Sequence, residues 1–160
     1  MDNTQFVVKL YEYLSAETPL NYDCGIHCNK KCCQGNDNDG MLLFPGEKDL
    51  FLNKDGYTVY FDERYDSYAV RCNGTCHRND RPLSCRIFPY FFYVNNEDFK
   101  INVAPDIRAV DYCPIISKEK INKKFLRALR ISALKIEQNT DYVEFLNKIG
   151  NILTDFDFLA

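Results

Sequence analysis

The chain has 160 residues, 46% of them hydrophobic, with a formal net charge of −3 and a sequence pI near 5.4. At this length one domain buries roughly 70% of the surface of its extended chain, so a core can form without covalent staples. The acidic balance excludes a global basic field for nucleic acid, and no window approaches the roughly 18 uninterrupted apolar residues of a membrane span.

The opening segment MDNTQFVVKLYEYLSAETP lacks a basic region followed by an apolar stretch, and its acidic residues argue against a transit peptide. The expectation is a cytoplasmic protein of one domain over residues 1–160. Within it, 24–116 form a cysteine-rich core and 117–160 a helical tail.

Phe6, Val7, Leu10, Tyr11 and Leu14 recur at helical spacing and predict a helix over 4–16, stopped before Pro19. Asn36 to Gly40 is a polar loop, and a short helix is expected from Pro45-Gly46-Glu47, closed by Asp55-Gly56. Tyr57 to Phe61 reads as a strand with Ser67 to Cys72 as an antiparallel partner. Phe88–Val94 and Phe99–Val103 flank Asn95-Asn96-Glu97-Asp98, the clearest hairpin signal in the chain. Ser117 offers a helix N-cap ahead of Ile121, Phe125, Leu129, Ser132 and Ile136. A second helix is expected near Thr140, with Val143, Leu146, Ile149 and Leu153 on one face. The fold class is therefore α+β: helices at both ends around a small antiparallel middle and a cysteine-rich metal-binding centre.

Eight cysteines stand at Cys24, Cys28, Cys32, Cys33, Cys72, Cys76, Cys85 and Cys113. In a reducing compartment thiols stay reduced, so metal or catalytic roles outrank disulfides. Cys24/Cys28 and Cys72/Cys76 are pairs with three intervening residues, a spacing common among metal ligands. If 24–33 were helical, Cys24 and Cys32 would stand roughly 12 Å apart at 1.5 Å per residue. A single zinc with bonds near 2.3 Å cannot span that distance. The segment is then irregular, or its outer cysteines serve different centres, or a larger cluster is held. Adjacent Cys32 and Cys33 are expected to point apart, so that they divide between two centres or one ligates while its neighbour packs. His27 and His77 each adjoin a cysteine and are secondary ligand candidates. In RNDRPLSCRIFPYF, Arg81 and Arg86 bracket Cys85, where guanidinium donors would stabilise an anionic thiolate cluster.

CGIHCNKKCC, LLFPGEKDL, CNGTCHRNDRPLSCRIFPYFF and DYCP together resemble the YkgJ-like cysteine-cluster family, whose CxxCxxCC members are described as zinc- or iron-chelating domain proteins. The resemblance covers about residues 24–116 and implies that all eight cysteines serve metal binding. Asn29-Lys30-Lys31 supplies three residues where that family's pattern has two. The flagellin lysine methylases carry a similar module, thought to use an iron–sulfur cluster.

Three functions follow as expectations. The first is a metal-binding protein holding one or two centres, an iron–sulfur cluster (4Fe–4S) ahead of zinc. The second is a cluster-dependent modifying or redox enzyme, and the third a zinc-stabilised interaction module. Neither nucleic acid nor membrane is an expected partner. The chain carries no glycine-rich nucleotide loop, and its two histidines form no hydrolytic triad.

Overall fold

The computed structural model describes the chain except residues 34–38, Thr75, Tyr112, Glu119 and Ala160; of His27, Cys28, Lys118 and 156–159 it describes the backbone alone. Much of the expected 36–40 loop therefore lies outside the described residues.

Helix α1 spans Asn3–Leu14. Asp2 opens it with a capping box: Asp2 Oδ1 accepts from the Gln5 N–H at 2.8 Å, and the Asp2 N–H donates to Gln5 Oε1 at 3.2 Å. Its apolar stripe, Phe6, Val7, Leu10 and Leu14, is buried. A one-turn helix α2, Gly25–Cys28, and a 3-10 turn, Lys31–Cys33, carry the first cysteines. Next come strand β1 (Met41–Leu42), helix α3 (Lys48–Phe51) and the β2 (Tyr57–Asp62)/β3 (Ser67–Cys72) hairpin. These strands form an antiparallel sheet in the order β1-β3-β2, with Met41 opposite Val70 and Tyr57 opposite Cys72. Two residues are too few to show a period, so β1 has no signature in the sequence.

Leu83–Ile87 form a short helix α4 between Pro82 and Pro89. Pro82 lies just before its first turn, where a missing N–H costs nothing. β4 (Tyr90–Val94) and β5 (Ile101–Pro105) make the expected hairpin, with Tyr90 opposite Pro105. Phe91 and Phe92 are both buried, and neighbours on a strand face opposite sides, so this hairpin is covered on both faces.

A single turn, α5 (Ile115–Lys118), precedes α6 (Lys123–Ile136) and α7 (Thr140–Leu159). The expected cap at Ser117 is displaced: Ser117 lies inside α5, and Asn122 caps α6 by accepting from the Lys124 N–H at 3.0 Å. Asn122 also donates its own N–H to the Pro19 carbonyl at 2.8 Å, tying the start of α6 to the segment that enters the cysteine cluster. α6 packs on β5 and on α1, and α7 on β4. Phe125, Leu129, Ile136, Leu146, Ile149 and Leu153 join the stripe of α1 in one core. Fully burying a side chain of this size contributes about 1.5–3 kcal/mol. No helix among the described residues is long and apolar enough to cross a membrane.

Candidate metal centre

The described cysteines arrive from six places in the chain. Cys24 precedes α2, and Cys32 and Cys33 lie on the 3-10 turn. Between them the backbone turns left-handed twice in succession, at Asn29 (φ 51°) and Lys30 (φ 54°). This break removes the roughly 12 Å separation that a continuous helix would impose. Cys72 ends β3, Cys76 lies four residues further on, Cys85 is in α4, and Cys113 precedes α5.

Two adjoining cavities open among them. The larger, about 170 Å³, is lined by Cys24, Cys32, Cys33, Cys76 and Cys113 with Arg81. The smaller, about 120 Å³, is lined by Cys24, Cys32, Cys33, Cys72, Cys76 and Cys85, again with Arg81. All seven described cysteines are thiols rather than disulfides, and every one lines at least one cavity. The Cys28 and His27 side chains lie outside the described residues. His77 is exposed and lines neither cavity.

The vicinal pair departs from expectation. Cys32 Sγ and Cys33 Sγ stand 4.0 Å apart, because the 3-10 turn rotates both side chains toward the same space. A tetrahedral zinc with bonds near 2.3 Å brings its thiolates to roughly 3.8 Å from one another, so this pair meets the spacing of one metal. No group of three His, Cys, Asp or Glu side chains stands close enough to hold a metal ion among the described residues. The thiols surround a space instead of a point. Each cavity far exceeds the about 10–15 Å³ that one water-sized occupant requires.

Arg81 donates Nε–H to Cys76 Sγ at 3.4 Å and lines both cavities. It sits where a guanidinium offsets thiolate charge. Arg86 is turned elsewhere. It is buried in the core side of α4, donates at 2.7 Å to the Arg81 and Asn79 carbonyls, and stacks on the Tyr11 ring at 4.2 Å. Its contribution is to shape the 78–81 turn, which Lys54 Nζ (2.7 Å to Asp80 Oδ1) and the Tyr57 hydroxyl (3.0 Å to the Asp80 carbonyl) also pin.

Electrostatics separate the thiols. The Cys33 pKa is pulled down to about 6, first by the hydrogen bond with Cys32 and then by Arg81 and Lys30, against a desolvation cost. The same contact, with burial, pushes Cys32 up. Cys85 is driven well up, first by burial and then by the neighbouring Cys33, Cys72 and Cys76. Within the vicinal pair, one sulfur loses its proton readily and the other reluctantly.

Glu47 is the functional-looking residue without a sequence signal, since a Glu after Pro-Gly reads as solvated. It is fully buried, accepting from the Tyr11 hydroxyl and, at 2.7 Å each, from the Leu83 and Phe44 N–H groups. The Leu83 contact fastens the first turn of α4, which carries Cys85. Comparisons with family models, with curated proteins and with solved structures find no match to this chain.

Proposed function

We propose that this protein binds metal through its cysteine cluster, with an iron–sulfur cluster ahead of zinc as the occupant. One observation carries the reading: every described cysteine lines one of two adjoining cavities, and Arg81 reaches Cys76 within them. The donor set suits the group, since thiolates are the usual ligands of iron–sulfur clusters and a polynuclear cage accepts ligands spread around a volume. A lone zinc requires tighter convergence. The YkgJ-like resemblance supports chelation, and abundant reduced thiols suit the cytoplasm. Such a cluster, when bound, would supply one-electron chemistry. The residues of this chain would hold it and offset its charge through Arg81.

The test is anaerobic purification with metal and acid-labile sulfide analysis and a visible absorption spectrum. Iron with sulfide supports the reading; a colourless protein with stoichiometric zinc assigns the site to zinc. A protein that takes up neither overturns the proposal.

A second reading, a cluster-dependent enzyme of methylase type, is favoured by one feature. A cleft of about 580 Å³ abuts the thiols at Cys32 and is lined by Lys31, Arg64, Tyr65, Ser84 and Arg108. Arg64 and Arg108 are each clamped by an aspartate two residues earlier, with Nη2–Oδ2 distances of 2.7 Å to Asp62 and Asp106. Substitution of Tyr65 that abolishes substrate turnover without loss of metal would support this reading.

A further inference from the structure

Strands β2 and β5 run into the same three-residue device. Asp62, buried at the end of β2, forks the Arg64 guanidinium, with Nε at 3.0 Å and Nη2 at 2.7 Å. Asp106, buried just after β5, forks Arg108 in the same way, at 2.9 and 2.7 Å. In both, the arginine backbone N–H also donates to the aspartate Oδ1, at 3.0 and 2.9 Å. The devices belong to different sheets, yet the Tyr65 ring meets both of them. Its centroid is 5.5 Å from the Arg64 guanidinium carbon and 5.6 Å from that of Arg108.

Both arginines and Tyr65 line the cleft of about 580 Å³. That volume falls in the range of about 300–1,000 Å³ typical of small-molecule sites. The cleft is joined to the thiols: Cys32, Asp39, Gly40, Met41 and Phe88 line both it and the smaller thiol cavity. We infer that this cleft binds a small molecule bearing one carboxylate, held by Arg108 and Arg64 beside the cysteine cluster. This rests on the second reading above and names the substrate class of that cleft.

The donor count calls for an acceptor. A guanidinium has five N–H groups, and Asp106 takes two of those on Arg108. A fork through Nε and Nη2 leaves the Nη1–Nη2 edge, itself a two-donor face that matches a second carboxylate. The aspartates cannot serve as the cleft's acceptors in return, because their oxygens are already engaged by their own arginines. Arg108 is also held still: its guanidinium lies 5.0 Å from the Phe91 ring centroid, so little ordering cost remains for a ligand. Arg64 is the second contact, with Nη1 3.9 Å from Asp39 Oδ1. Charge selects the kind of acceptor. Lys31, Arg64 and Arg108 are balanced by Asp39, Asp62 and Asp106, so directed donors and not a net field do the recognising. A dianionic phosphate would bring more charge than this set offsets; a single carboxylate needs only the fork.

Isothermal titration calorimetry of the anaerobically purified protein with acetate, benzoate, benzamide and phenyl phosphate tests this. Saturable binding of at least one carboxylate is expected, with none of benzamide and weaker binding of phenyl phosphate. Arg108→Gln should weaken the carboxylate about tenfold or more. Arg108→Lys keeps the charge, loses the fork, and should weaken it as well. Arg64→Gln, at the more exposed clamp, carries the same test if circular dichroism shows the Arg108 variants unfolded. Saturable binding of neither carboxylate overturns the proposal. So does unchanged affinity in a folded Arg108→Gln protein, or tighter binding of phenyl phosphate than of either carboxylate. Carboxylate binding that leaves the visible spectrum of the iron-loaded protein unchanged supports the site and overturns the cluster-dependent enzyme reading.

Discussion

Replacing Glu47 by glutamine probes the buried carboxyl that joins α1 to α4. Its carboxylate takes three donors, Tyr11, Phe44 and Leu83, with Arg86 and Tyr142 the other titratable groups that act on it or feel it. Burial is the largest influence and pushes the pKa from its ordinary 4.5 up to about 7, against those hydrogen bonds and Arg86. The folded protein therefore binds more proton than the unfolded chain between these values. Its stability falls as the pH rises through that window, and the loss is complete above about 7. At 1.36 kcal/mol per pH unit the difference amounts to about 3 kcal/mol. Glutamine has no proton to lose, but its amide N–H₂ meets the N–H of Phe44, leaving a buried donor unpaired at a cost of about 1–3 kcal/mol at every pH. Urea unfolding of both proteins at pH 5 and pH 8, in the same metal state, separates the two effects, because titrations common to both cancel in the difference. Wild type should lose about 3 kcal/mol more than the variant on going to the higher pH. An equal loss in both proteins refutes a carboxyl that ionises reluctantly in this core.

Gly46 has φ +90°, and an added Cβ would lie 2.3 Å from the Asn3 carbonyl carbon; Gly46→Ala should destabilise by about 1–3 kcal/mol or more, and an unchanged thermal midpoint would contradict that packing. Leu129→Ala, at a fully buried position of α6, should cost about 2–5 kcal/mol in denaturant unfolding. Arg81→Gln removes the Nε–H donor to Cys76 and should lower the reduction potential of the bound cluster; a spectroelectrochemical titration giving the wild-type potential would count against the contact. Complete metal removal should release hydrogen-exchange protection at 24–33, 72–85 and around Cys113 while α1, α6 and α7 stay protected. Unchanged exchange and circular dichroism would mean that folding is not coupled to metal.

The terminal helices were legible because their core-facing positions keep the 3.6-residue period over three turns or more, as in Phe125, Leu129, Ser132 and Ile136. Each of these is buried. The two hairpins were legible as runs of aromatic and β-branched residues set between turn residues, as in Phe88–Val94 and Phe99–Val103 around Asn95 to Asp98. Ser117 misled because a capping side chain names a helix start without saying which of two nearby breaks the chain will use. Arg86 misled because adjacency to Cys85 says nothing of direction: on a helix, consecutive side chains diverge by about 100°, and Arg86 faces Tyr11.

Read from the sequence, the chain is α+β, its long elements are placed, and six of its eight cysteines fall in two short stretches, 24–33 and 72–76. Those properties are local, written in periodicity and short intervals. The gathering of the described thiols around two adjoining cavities, the meeting of Cys32 and Cys33, the division of labour between Arg81 and Arg86 and the burial of Glu47 come from tertiary structure. Each depends on where segments tens of residues apart are brought together. That is set by the shared burial of α1, α4 and the β4–β5 hairpin beneath α6 and α7, which no interval along the chain records.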